Sequence, residues 1–257
     1  MNLNKYLLIL GYCFLKKHVC KMGKLLMEKT VAQKLEKFFA GSKPLRYKKK
    51  EIILRPNEKI LSLYLLKHGR VRMYAVNNQG DEFTIHIFQP PAVFPLMLAL
   101  TNKYSEYYLE TSTAVQVYSE SVENVIKFIK SQPDILFELT TRFAKGLNGL
   151  SFRLSQLAYE QKYIKTVALL NYLVQNFGIR NEDEEEVILP LGHKEIASWL
   201  GTSRETVTRF MSKLQNKKLI RQQNSELIVT NAYKLEREAR EELEAKVKRS
   251  IKNVFKN

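Results

Sequence analysis

His193-Lys194-Glu195-Ile196-Ala197-Ser198-Trp199-Leu200-Gly201-Thr202-Ser203-Arg204-Glu205-Thr206-Val207-Thr208-Arg209 is the stretch on which the reading of this chain turns. Ile196, Ala197 and Leu200 put one apolar face on a short helix. Gly201 stops that helix, and Thr202 and Glu205 have the spacing of a capping box that starts another. The second helix carries Val207, Phe210, Met211 and Leu214 on its apolar side. Two short helices, a tight glycine turn, a small residue (Ala197) at their crossing and a polar start to the second make the pattern of a helix-turn-helix. Downstream, Leu219-Ile220-Arg221 and Leu227-Ile228-Val229 flank the polar run Gln222-Gln223-Asn224-Ser225-Glu226 and predict a two-stranded hairpin, a wing.

Charge supports the same segment more than the total suggests. The 257 residues hold 42 Lys and Arg against 26 Asp and Glu, a formal charge of +16. Most of that surplus lies in residues 1–50, so the global figure says little about the surface elsewhere. Between His193 and Gln222, however, seven basic residues (Lys194, Arg204, Arg209, Lys213, Lys217, Lys218, Arg221) face only Glu195 and Glu205. Such a patch attracts phosphates, and an ordinary solvated helix surface has the same look. Glu205 and Arg209 stand four apart, share a helix face and could pair with each other.

Upstream, the chain is long enough for two domains, and 45% apolar residues exclude a disordered or collagen-like protein. Cys13 and Cys20 are too few for a disulfide scaffold or a four-cysteine metal site. The apolar run Leu7–Leu15 is about half the roughly 20 residues that cross a bilayer, and no cleavage site follows it. A cytoplasmic protein without a membrane partner is expected. Residues 1–26 read as an N-terminal extension or the product of a mis-set start. Residues 27–132 open on a short helix (Val31, Leu35, Phe38, Phe39) and continue as short strands at 51–54, 61–66, 71–76, 83–88 and 114–118, cut by turns such as Lys67-His68-Gly69 and Asn77-Asn78-Gln79-Gly80. Strands at this spacing predict an antiparallel β-roll. The fold class is therefore α+β: a roll, a long helix and a winged helix-turn-helix.

The long helix is expected over 133–159. Leu136, Leu139, Phe143, Leu147, Leu150, Leu154 and Leu157 follow a near-heptad spacing that suits a dimer seam, or burial against its own domain. Gly146 and Gly149 interrupt it, each at about 1 kcal/mol of helix propensity. Residues 160–233 hold a further apolar helix, an acidic run at 182–186 read as a solvated loop, and the winged motif. Residues 234–257 read as a charged C-terminal helix that packs on a neighbour or extends into solvent.

With those residues in view, the 193–209 motif, continued through Leu214 and Leu219-Ile220, resembles the DNA-binding element of the Crp/Fnr superfamily of bacterial transcription factors, named for the cyclic-AMP receptor protein and the fumarate–nitrate regulator. Ser62-Leu63-Tyr64-Leu65-Leu66-Lys67-His68-Gly69-Arg70-Val71-Arg72 and Pro90-Pro91-Ala92-Val93-Phe94 are similar to its sensor roll, so the resemblance covers about residues 30–231. It implies a homodimer on double-stranded DNA, with RNA polymerase as a partner. Arg204, Glu205 and Arg209 would read a TGTGA-type half-site, the arginines as forks to guanine and Glu205 accepting from cytosine. Ser203, Thr206 and Thr208 would meet phosphate or a thymine methyl, and Lys194, Lys213 and Lys217 would meet phosphate. Glu205 as no more than the capping partner of Thr202 remains the competing reading.

The sensor half departs from the family at its ligand. Where a cyclic-nucleotide pocket resembles Gly-Glu-Leu followed further on by Arg-Ser/Thr, this chain has Pro95-Leu96-Met97 and Ser105-Glu106. Without that arginine a buried cyclic phosphate would cost several kcal/mol, so cyclic AMP is not the expected effector. Tyr104, Tyr107 and Tyr108 could line a more apolar pocket or simply pack. No cofactor is predicted and the effector stays unassigned. Scattered histidines (His18, His68, His86, His193) and the absence of a Ser/His/Asp set, metal-ligand spacing or phosphate loop argue against an enzyme. A roll that has lost ligand binding, and a haem sensor using His86, are the alternatives.

Overall fold

The computed structural model describes residues 27–101, 104–156, 161–180, 186–223, 226–238 and 240–242. The N-terminal extension, Leu157, the acids at 182–185 and the chain after 242 lie outside the described residues. The chain divides into two compact units at the 145/146 boundary.

In the first unit, α1 (Lys29–Phe39) precedes β1 (Pro44–Tyr47), β2 (Ile52–Leu54), β3 (Ser62–His68), β4 (Val71–Val76), β5 (Glu82–Phe88) and β6 (Ala92–Phe94). Then follow α2 (Leu96–Thr101), β7 (Tyr108–Thr111), β8 (Val115–Ser121), α3 (Val122–Lys130) and the start of α4 (Pro133–Gln156). The strands form two four-stranded sheets, ordered β1-β8-β3-β6 and β2-β7-β4-β5, with antiparallel pairing throughout. Period-two alternation along β3 explains its unbroken apolar run: Leu63 and Leu65 pack against α1, α3 and the first turns of α4, while Leu66 packs with Val71, Met73, Phe94, Leu109 and Val117. Gly69 turns β3 into β4 at φ +86°, and a Cβ there would collide with the Ala114 carbonyl.

In this unit three strands escaped the sequence reading. β1, β6 and β7 are three or four residues long, too short to display a period. Of the three tyrosines, Tyr108 is a packing residue stacked 5.1 Å from Tyr74, Tyr107 packs against the Leu66–Phe94 cluster, and Tyr104 is exposed. Beside them the buried Arg72 guanidinium bridges Glu82 (2.7 Å) and Glu110 (3.3 Å) and lies over the Tyr74 ring. Burial, then the Glu110 charge, pushes the Tyr74 hydroxyl up to about 12.

In the second unit, the end of α4 is followed by α5 (Lys162–Phe177), β9 (Ile179–Arg180), β10 (Val187–Leu189), α6 (His193–Leu200), α7 (Arg204–Asn216), β11 (Ile220–Gln223) and β12 (Glu226–Val229). The strands form one sheet, β11-β12-β10-β9, and β11-β12 is the predicted wing hairpin. Gly149 faces the Tyr172 ring of α5 and marks a close approach, and Arg153 stacks over Trp199 at 4.7 Å. A helical stretch at 232–238 and 240–242 packs back on this unit through the fully buried Leu235.

The apolar seam of α4 divides in two. Leu139 is buried with Ile135 in the core of the first unit, so it is no part of an exposed seam. Leu147 (63%), Leu150 (40%) and Leu154 (57%) stand exposed in the single chain, as do Leu136 and Phe143. No helix among the described residues is long and apolar enough to cross a membrane.

Candidate nucleic-acid interface

The α6-turn-α7 element is held from beneath. Ile196, Ala197 and Trp199 of α6 are buried, and Val207, Met211 and Leu214 of α7 are completely so. Burial of that stripe leaves Arg204, Glu205, Thr208, Arg209, Ser212 and Lys213 on the opposite, exposed side. Between the helices Gly201 adopts φ 58°, ψ 44°, and its N–H and that of Thr202 both donate to the Ala197 carbonyl. Left-handed backbone costs a non-glycine residue roughly 1–2 kcal/mol. Gly201→Ala is therefore expected to destabilise the protein by about that amount, seen as a lower midpoint in urea; an unchanged midpoint would show that the turn adapts.

The cap is not where the sequence placed it. Because the turn uses Thr202 to close α6, the N-cap of α7 is Ser203, whose hydroxyl accepts from the Thr206 N–H at 3.3 Å. Thr206 stands three residues on, and its hydroxyl lies 3.1 Å from that of Ser203. Glu205 is thus not the partner of a Thr202 capping box. The reciprocal carboxylate contact occurs instead at α6, where the Gly192 N–H donates to Glu195 at 2.8 Å.

Arg204, Glu205 and Arg209 are brought together on the N-terminal half of α7, all exposed, and none makes an ion pair among the described residues. The sequence allowed a Glu205–Arg209 pair; the two side chains stay separate, and the Arg209 guanidinium lies 5.3 Å from the Phe210 ring centre. Thr208 is tied to α6: its hydroxyl sits 3.0 Å from Nδ1 of His193, a half-buried residue that the motif reading passed over. Burial, then the nearby Arg204 charge, pushes that imidazole below the ordinary histidine range, which favours its neutral form. Lys194 is exposed at the start of α6.

Lys213 and Lys217 are placed differently from the others. Lys213 donates to Glu242 at 2.8 Å and lies 3.6 Å over the Tyr163 ring centre. Lys217 donates to the buried Glu238 at 2.6 Å. Arg221 of the wing pairs with Glu186 at 2.7 Å. Three of the seven basic groups in the patch are thus already matched by carboxylates outside it, which sequence counting within the window could not show.

In the first unit, Leu96 and Ser105, the positions compared above with a cyclic-nucleotide pocket, are both packed inside the roll. Leu96 is buried among Leu65, Val93 and Leu35. Ser105 is 1% exposed; its hydroxyl donates to the Tyr107 carbonyl at 2.7 Å and its backbone bonds to Asn57 and Glu58. Neither offers a charge to a phosphate.

Comparison with known proteins matches this arrangement unit by unit. Residues 44–132 match the family described as the cyclic nucleotide-binding domain, and residues 167–238 match the Crp-like helix-turn-helix domain. The chain belongs to the Crp/Fnr superfamily. As a member of it, the protein is a DNA-binding transcription regulator. Its Crp/Fnr relatives include the global nitrogen regulator of Synechococcus elongatus, 27% identical over 75% of this chain and 89% of the relative. Another is the cAMP-activated global transcriptional regulator CRP of Salmonella typhimurium, 25% identical over 76% and 93%. Among solved structures, a CooA variant from Carboxydothermus hydrogenoformans shares the fold with a TM-score of 0.68 at 18% identity, covering 84% of this chain and 99% of that one. The Crp/Fnr relatives indicate no enzyme.

Proposed function

We propose that this regulator acts in the cytoplasm as a homodimer that binds palindromic DNA with TGTGA-like half-sites, α7 of each subunit entering a major groove. The observation that carries this reading is the exposed trio Arg204, Glu205 and Arg209 on a helix whose other face is fully buried. Two arginine forks suit guanine O6 and N7, and Glu205 suits cytosine N4. A carboxylate at the front of the helix repels phosphate, so its place there favours a base-reading role. Ser203, Thr206 and Thr208, with Lys194, would meet the backbone or a thymine methyl. Lys213 and Lys217, engaged with Glu242 and Glu238, are left out of the reading set. RNA polymerase is the protein partner the family implies. Selection of bound sites from a random duplex library tests the reading, because half-sites without twofold symmetry would overturn it.

The roll would gate binding through a small-molecule effector other than cyclic AMP. Calorimetry is expected to show no specific binding of cyclic AMP or cyclic GMP, since Leu96 and Ser105 leave the phosphate without a counter-charge. Binding of either at micromolar concentration would contradict this. A second reading, a roll that binds no effector and only supports the dimer, is favoured by the same two buried side chains. Native mass spectrometry of protein purified from cells separates the two by the presence or absence of a bound small molecule.

A further inference from the structure

The C-terminal helical stretch carries four acids in its described part, Glu236, Glu238, Glu241 and Glu242, and they sort by face. Glu236 pairs along its own helix with Arg240, and Glu241 with Arg237. Glu238 and Glu242, one turn apart, instead cross to α7 and α5. Glu238 is buried and accepts from both the Tyr163 hydroxyl (2.8 Å) and Lys217 (2.6 Å). Glu242 accepts from Lys213 (2.8 Å) and Lys217 (3.5 Å), and the Lys213 bond holds its carboxyl below the usual range.

Lys213 lies one turn beyond Arg209, in the same row of the exposed face of α7. A lysine in that row, beside a base-reading arginine, is placed to reach a phosphate. Its ammonium is turned aside, onto Tyr163 and Glu242. Exposed ion pairs are individually weak, but these two lysines are also held by an aromatic face and by a buried carboxylate. A phosphate must displace carboxylates that are already in place.

We propose that Glu238 and Glu242 set the sequence-independent strength of DNA binding: they keep Lys213 and Lys217 from phosphate, so that affinity for DNA of any sequence stays low and occupancy of a site depends on the base-reading trio. This rests on the reading of α7 as the DNA-facing helix. Phosphate contacts contribute alike to every sequence, whereas base contacts discriminate. Masking two lysines therefore lowers the sequence-independent share of binding without touching the sequence-dependent share.

The test is the salt dependence of binding by the full chain, on the selected operator and on an unrelated duplex, between about 50 and 200 mM salt. In the wild-type background, the double variant Lys213→Ala, Lys217→Ala is expected to leave the slope on both duplexes unchanged. Glu242→Gln, a substitution at a partly exposed position, is expected to steepen the slope on unrelated DNA by about 0.9 for each lysine recruited, tightening binding about eightfold per contact at about 0.1 M salt. The operator slope should steepen by the same amount, leaving the operator-to-unrelated ratio unchanged, and adding both lysine-to-alanine changes to Glu242→Gln should restore the wild-type slope on both duplexes. A role in packing alone would lower the melting temperature and leave the slopes as they are, which would overturn the proposal. So would a slope already flattened by Lys213→Ala, Lys217→Ala in the wild type, since the lysines would then be touching phosphate. A wild type that selects no sequence overturns the reading of α7 itself; one that selects sites but fails the slope test overturns only the masking.

Discussion

Arg209→Ala is expected to cost about 1–3 kcal/mol at each half-site, and so about twice that for a dimer on a full palindrome. The size follows from the geometry. Arg209 stands on the exposed side of a helix anchored by Val207, Met211 and Leu214, and it spends its charge on no carboxylate among the described residues. Loss of the fork should relax preference at one guanine per half-site while leaving its neighbours read. Glu205→Ala should behave differently, relaxing preference at a cytosine while non-specific affinity holds or rises, because a negative charge leaves the interface. Library selection with both variants checks this directly. An Arg209→Ala protein with unaltered base preference would remove α7 from its role as the reader.

Leu150→Asp and Leu154→Asp are each expected to give a monomer that no longer holds the operator. Leu147, Leu150 and Leu154 stand 40–63% exposed at steps of three and four on α4, an apolar row open to solvent in the single chain. A carboxylate placed there costs little in an isolated chain, since the position is open. In a dimer seam it must be buried without a partner, which is costly. Dimer loss also removes the second recognition helix, and the effective concentration that links two half-sites is worth roughly 10²–10⁴ in affinity. Sedimentation velocity reads the first effect and operator titration the second. An unchanged dimer in both variants would place the subunit contact elsewhere.

Some of this molecule can be read from local sequence alone. The helix-turn-helix is one such part: apolar residues at three- and four-residue steps on either side of Gly201 define two helices, and a glycine is what a left-handed turn between them demands. The longer strands of the roll are legible for a similar reason, since a pleated strand points successive side chains to opposite faces and a run of six or seven residues is long enough to record it, whereas the wing shows as two apolar runs around a polar turn. The lack of an arginine at Ser105-Glu106 is likewise visible without coordinates.

Other features depended on contacts that no local pattern records. Thr202 and Ser203 are both good caps, and which of them starts α7 was settled by how tightly the Gly201 turn closes onto Ala197. Leu139 belongs to the same near-heptad series as Leu150, yet helices and strands far along the chain bury the one and leave the other open. Lys213 and Lys217 look like free phosphate ligands in a basic window, but their partners are carboxylates 21 to 29 residues away. Periodicity fixes which side of a helix is apolar because that depends on neighbours three and four residues apart. The partner of a charge depends on which distant element is packed against it, and that is decided only when the chain folds.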